Sequence, residues 1–233
     1  MRFFSFDCNA SSYHSYALAQ CIFAKKLAQK LANQQFYSIA ELGCGSGVLL
    51  EYLLKSQVEF REYDACDISE KMLKNFIFQK EGVSKICKDF DDFLFENKKH
   101  YSLICSSSAL QWAKNFDKTL RLIAQKCDEV ALSIVDSYTF TSLHSFLGTS
   151  SPLLDYEEIQ KSLLKYFEGD FQISRVDLRF QSPHKTLLHL RKSGVMGGGV
   201  LNFAQSKKLL LYDGGLEYES VIFIGKPRKK EKN

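Results

Sequence analysis

The chain has 233 residues, 45% of them hydrophobic, with a formal net charge of +4, enough for one well-buried α/β domain with an insertion and too little for two full domains. No run of 18 apolar residues occurs, and Met1-Arg2-Phe3-Phe4 turns polar too soon for a signal sequence, which predicts a cytoplasmic protein without a membrane span. Seven cysteines, odd in number and without a Cys-x-x-Cys pair between Cys8 and Cys127, argue for reduced thiols that fill the core and against a metal site.

Residues 6–33 place Ala10, Tyr13, Ala17, Cys21, Ala24, Leu27, Ala28 and Leu31 at helical spacing, predicting an N-terminal helical cap over 1–35. Strands are then expected near 36–42, 58–66, 84–88, 101–106 and 128–135, with helices near 47–56, 69–79 and 116–126. This alternation predicts a doubly wound, mostly parallel sheet with ligands beyond the carboxyl ends of its strands. Residues 137–170 read as a helical insertion (Tyr138 to Phe146, then Asp155 to Phe167) between strands five and six. A strand over 171–180, helices near 184–192 and 203–212 and a closing strand over 216–225 complete one domain, 1–225. Residues 226–233, Lys226-Pro227-Arg228-Lys229-Lys230-Glu231-Lys232-Asn233, read as a solvated basic tail. No nucleic-acid recognition module accompanies that tail, and an acidic protein partner suits it.

The chemistry concentrates in Glu41-Leu42-Gly43-Cys44-Gly45-Ser46-Gly47, between the first strand and the first sheet helix. Glycines there let the backbone approach a ligand closely, since they adopt positive φ and carry no Cβ. Glu41 beside the loop would repel a pyrophosphate but attract a cationic ligand, which argues against NAD and ATP. Cys44 is read as a small loop residue. Asp67 ends the second strand and is suited to accept two hydroxyls at once, with Asp64 as its competitor. Asp89, followed by Phe90, closes the third strand and is read either as a ligand acceptor or as the N-cap of a helix over Asp91-Asp92-Phe93. Ser106 ends the fourth strand, and Gln111-Trp112 follow it, the tryptophan either in the core or lining a pocket.

The acidic residue, the glycine loop and the two later strand-end acids resemble the nucleoside-methionine site of class I S-adenosylmethionine-dependent methyltransferases. The resemblance implies S-adenosyl-L-methionine as cofactor. Glu41 would then face the methionine ammonium, with Gly43, Cys44, Gly45, Gly47 and Ser106 beside it. Asp67 with Ile68 would hold the ribose, and Asp89 with Phe90 the adenine. A more specific likeness is to the malonyl-acyl-carrier-protein O-methyltransferase family of biotin synthesis. It rests on Phe6-x3-Ala10-x2-Tyr13-x3-Ala17-x2-Gln20, the glycine loop, Asp67-Ile68-Ser69-x2-Met72-Leu73 and Ala109-Leu110-Gln111-Trp112. Phe180, Leu187 to Gly194 and Leu216-Glu217-Tyr218-Glu219 continue it. Ser107, Tyr16, Arg191 and the absence of a Pro-Gly-Gly turn at 126–129 depart from the family pattern, which leaves other small acids or quinones as acceptors, and a non-catalytic assembly role, as alternatives.

The family reaction so implied is methyl transfer to the free carboxylate of malonyl-acyl carrier protein. That carboxylate is ionised at neutral pH, so positioning rather than a general base is required. The resemblance implies a cation for it, with Arg175, Arg179 and Arg191 as candidates, and Tyr13, Gln111 and Trp112 near the transferred methyl. His144, His184 and His189 are read as surface or structural. Lys185, Arg191 and Lys192 on one predicted helix would dock the acidic carrier.

Overall fold

The computed structural model describes residues 17–76, 78, 80–193 and 203–229. Seven strands are β1 (Gln35–Leu42), β2 (Glu59–Asp67), β3 (Val83–Cys87), β4 (Tyr101–Ser107), β5 (Cys127–Val135), β6 (Phe167–Leu178) and β7 (Leu216–Pro227). They form one sheet in the order β3-β2-β1-β4-β5-β7-β6. Neighbours among β1 to β5 run parallel, and β7 runs antiparallel to both β5 and β6. The predicted doubly wound, mostly parallel sheet is the one observed.

Alternation along each buried strand sends successive side chains to opposite layers. Ala40, Leu42, Ile104, Val130 and Leu132 meet α4 (Phe90–Glu96), α5 (Phe116–Ala124) and α7 (Tyr156–Tyr166) on one face. Ile39, Leu103, Cys105 and Ala131 meet α1 (Leu18–Lys30) and α2 (Val48–Lys55) on the other. A third apolar cluster lies where Phe23 of α1 meets Leu143 and Leu147 of α6 (Thr141–Leu147), Leu190 of α8 (Pro183–Ser193) and Leu209 of α9 (Phe203–Leu209). Cys21, Cys44, Cys66, Cys87, Cys105 and Cys127 are free thiols, four of them buried.

Several boundaries differ from expectation. The helix expected over 69–79 is the single turn α3 (Glu70–Lys74), started by the Ser69 hydroxyl accepting from Met72 N. It stops because Phe76 turns into the core and the Lys85 ammonium donates to the Leu73 and Phe76 carbonyls. Helix α4 follows Asp89, which caps it as the N-cap reading of that residue expects. Strand β6 begins at Phe167 rather than 171, because buried Phe167 already pairs with Pro227. The expected basic tail is partly structure: Lys226 and Pro227 belong to β7, and Arg228 donates to the Tyr166 and Leu164 carbonyls. Residues 1–16, which hold Tyr13, Tyr16 and Cys8, the glycine cluster at 194–200 and residues 230–233 lie outside the described residues.

The insertion is anchored by α7, whose Asp155–Glu158 capping box satisfies amides at its first turn and seats Ile159 and Leu163 in the core. Asp155→Ala should therefore cost about 1 kcal/mol of stability in urea unfolding, the usual loss for an N-cap, without changing ligand affinity.

Candidate functional site

The glycine loop sits at the carboxyl edge of the sheet, between the ends of β1, β2 and β4. Gly43 N and Cys44 N both donate to the Cys66 carbonyl, at 2.8 and 3.0 Å, which pins the loop to the end of β2. Gly43, Gly45 and Gly47 have φ of 72, 54 and 90°, the left-handed region that L side chains avoid. A Cβ at Gly43 would also overlap Ala109 Cβ, so the loop and the Ala109-Leu110-Gln111-Trp112 segment share a wall. Gly47 starts α2, and buried Ser46 has an Oγ with no protein partner.

Acids surround this loop. Asp67 Oδ2 accepts from Gly45 N at 2.7 Å and Oδ1 from Ser69 N at 2.8 Å, so one carboxylate joins the loop to the turn after β2. Asp64, its competitor, points elsewhere and is taken by Tyr101 Oη at 2.7 Å and Lys99 Nζ at 3.1 Å. Glu41 is buried, and Tyr63 Oη donates to its carboxyl at 2.5 Å. Burial raises the Glu41 pKa to about 8; the Tyr63 hydrogen bond works against that rise, and the Asp67 charge adds to it. Asp89 caps α4 through Asp91 N and pairs with Lys114 at 2.9 Å. Exposed Ile68 offers an apolar face beside Asp67, whereas Phe90 packs against the core.

Beyond Ala109 lies a cavity of about 70 Å³, bordered by Gln20, Ser108, Gln111, Trp112, Phe140 and His144 among others. Ser108 stands at φ 57°, and its Oγ, the Gln111 Oε1 and the Gln20 Oε1 are buried without a protein partner. Burial lowers the His144 pKa, and its Nδ1 lies 2.8 Å from Thr149 Oγ1.

A loop with three glycines, a carboxylate at the end of β2 and an acid behind the loop fit a nucleoside bearing positive charge, the charge pattern of S-adenosylmethionine. A methyltransferase-domain family model matches residues 40–129, from β1 into β5. The malonyl-[acyl-carrier protein] O-methyltransferase of Haemophilus influenzae is 30% identical over 193 residues, covering 77% of this chain and 69% of that protein. The chain belongs to the malonyl-[acyl-carrier protein] O-methyltransferase family. A member from Ilyobacter polytropus is 30% identical over 66% of this chain and 61% of its own length, so the chain spans about six-tenths of that relative. Among solved structures, the YcgJ protein from Bacillus subtilis superposes with a TM-score of 0.62 at 10% identity, covering 88% of this chain and 98% of that one. The plantazolicin methyltransferase BpumL, solved in complex with SAH, gives 0.52 at 18% identity over 92% and 88%. Both share the fold. The chain carries a methyltransferase domain, and the charge pattern of its glycine-loop edge fits S-adenosylmethionine as methyl donor.

Of the expected site residues, the structure gathers Glu41, Gly43, Cys44, Gly45, Gly47, Asp67 and Ile68 at one edge, and puts Gln111 and Trp112 on the cavity wall. Ser106 is a correction: its buried hydroxyl donates to the Leu42 carbonyl at 2.7 Å and braces β4 against β1 instead of facing a ligand. Arg175 is another, because its guanidinium is committed to Glu219 and stacks over Tyr138. Arg179 lies exposed beside Gly215 and does not border the cavity. Lys185 is exposed on α8, while the side chains of Arg191 and Lys192 lie outside the described residues. His144 and Thr139 were missed as cavity residues; Gln20 already ended the N-terminal spacing that carried the family likeness.

Unfolded Glu41 ionises near 4.5 and the folded one near 8, so the unfolded chain releases a proton that the folded chain keeps. The folded state therefore loses stability as pH climbs from 4.5 towards 8. Glu41→Gln, which keeps an acceptor for Tyr63, should add on the order of 3 kcal/mol at pH 7 and little at pH 4. Urea unfolding at both pH values checks this, and an equal effect at both would remove the assigned cause. Asp67→Ala should weaken S-adenosylmethionine binding by about 1.5–3 kcal/mol, roughly 10- to 150-fold in calorimetric Kd.

Proposed function

We propose that the protein methylates the free carboxylate of a malonyl thioester carried on acyl carrier protein, in the cytoplasm and as a step of biotin synthesis. The observation that carries this reading is the shared wall: Ala109 packs on Gly43 of the cofactor loop, while Gln111 and Trp112, two and three residues on, border the cavity. Membership of the family supports the acceptor. When bound, S-adenosylmethionine supplies a methyl group on a positively charged sulfur.

The protein's own residues supply place and surroundings. Glu41 lies behind the loop to receive positive charge, Asp67 is set for the ribose hydroxyls, and Asp89 with Ile68 for the base. The acceptor carboxylate needs no base, and a pocket that excludes water leaves its oxygen poorly solvated and reactive. Ser108 Oγ, a hydroxyl with no protein partner, is the donor on that wall that orients it, since Gln111 already gives its Nε2 to the Ser108 carbonyl at 2.7 Å. Tyr13 belongs to the same proposal. Lys185, with Arg191 and Lys192 on the same helix, is the docking face for the acidic carrier.

Purified protein with labelled S-adenosylmethionine should label malonyl-acyl carrier protein and leave the acetyl form unlabelled, because acetyl has no carboxylate to accept the methyl. Mild base should release the label, as it does from an ester. Labelling of a quinone or a free acid with none on the malonyl thioester would replace this acceptor by another.

A further inference from the structure

At the carboxyl end of β5 the chain leaves the sheet through Asp136 and turns across residues 137–140 into α6. Asp136 and Glu219 are both buried there, at 1% and 3% exposure. Arg175 is the register partner of Glu219 across β6 and β7, donates to its carboxylate, and lies 4.6 Å over the Tyr138 ring. The turn is also joined to β7 through its backbone. Glu219 N donates to Thr139 Oγ1 at 3.0 Å, Thr139 Oγ1 donates to the Glu219 carbonyl at 3.2 Å, and Phe140 N donates to the Glu217 carbonyl at 2.8 Å. Phe140 is held at φ 66°, a conformation a bulky side chain keeps only when its surroundings enforce it. Its ring meets the edge of Tyr218, and Thr139, Phe140 and Tyr218 all border the cavity.

We propose that Arg175, Glu219 and Asp136 are positioning residues for the methyl-acceptor cavity: they clamp the 136–140 turn onto β7 so that Thr139 and Phe140 stand as its wall. The proposal rests on the reading of that cavity as the acceptor site. With Asp136 protonated, the negative Glu219 is balanced by the Arg175 guanidinium and the cluster is neutral. Burial, and next the neighbouring Glu219, raise the Asp136 pKa to about 7, with Arg175 opposing the rise. The other titratable groups nearby are Glu217 of β7, which accepts from Ser142 of α6, and Tyr138 beneath Arg175. His144 of α6 and His189 of α8 have pKa values lowered by burial, so neither brings a positive charge at pH 7. From α1, Lys26 reaches Ser174, next to Arg175 on β6. Loss of the Asp136 proton leaves one uncompensated buried negative charge, which drives the turn away from β7.

The single tryptophan of the chain, Trp112, borders the same cavity and reports on its wall without any substrate. Its emission, followed from roughly pH 5.5 to 8.5, should show a transition centred near 7 in the wild type. Asp136→Asn and Glu219→Gln should abolish that transition within the range, and Arg175→Met, which removes the opposing charge, should move it upward. The KM for malonyl-acyl carrier protein should rise several-fold across the same range in the wild type, with kcat changing less, and stay flat in Asp136→Asn. The same transition in the wild type and both neutral variants, or none in the wild type, overturns the clamp. Should Asp136→Asn lose its native circular dichroism, Glu219→Gln carries the comparison. A protein that methylates no malonyl thioester sinks the proposed function, and the emission transition still decides the clamp.

Discussion

Asp67 joins two segments that the rest of the site depends on. One oxygen accepts from the amide of Gly45 in the glycine loop, the other from Ser69 at the start of α3. Hydrogen bonds to an ionised acceptor contribute about 1.5–3 kcal/mol each, enough to hold a loop whose glycines have little intrinsic preference for the left-handed region over others. The Cys66 carbonyl, which receives Gly43 N and Cys44 N, adds the second fixed point. With the loop so placed, Gly43 meets Ala109, and the position of the glycine loop determines the position of the cavity wall.

The two halves of the site differ in charge. Around the loop, Glu41, Asp67 and Asp89 give an acidic surround, and burial of the Glu41 carboxyl raises its pKa. A cationic group arriving beside Glu41 favours the ionised form, so binding there is linked to proton release. The described cavity wall is instead aromatic and neutral, with Trp112, Phe140, Gln20, Gln111 and Ser108 around it. The loop and the cavity thus meet at a boundary between an acidic and a neutral region.

Much of the cavity wall comes from outside the parallel sheet. Phe140 and His144 belong to the start of the insertion, Gln20 and Phe23 to α1, and Tyr218 to the antiparallel strand β7. The loop and strand-end acids sit on parallel strands that share one edge, where open α/β sheets place their ligands.

The alternating strands and helices, the glycine loop and the acids at strand ends were legible in the sequence because each is a local signal: period two, a run of φ-permissive residues, a carboxylate after an apolar run. Asp67 as the acid at the end of β2 was legible for the same reason, whereas the commitment of Asp64 to Tyr101 and Lys99 came only with the structure. Partners brought together by register were not legible. Arg175 reads as a free cation until β6 pairs with β7 and sets it opposite Glu219, 44 residues away. Ser106 reads as a strand-end hydroxyl until the pleat turns it towards the Leu42 carbonyl, and a shift of one residue would reverse that. Helix α3 reads as three turns until Phe76 is claimed by the core and Lys85 caps its last carbonyls. Local sequence carries backbone conformation, whereas the partner of a polar side chain is decided only when distant strands are aligned.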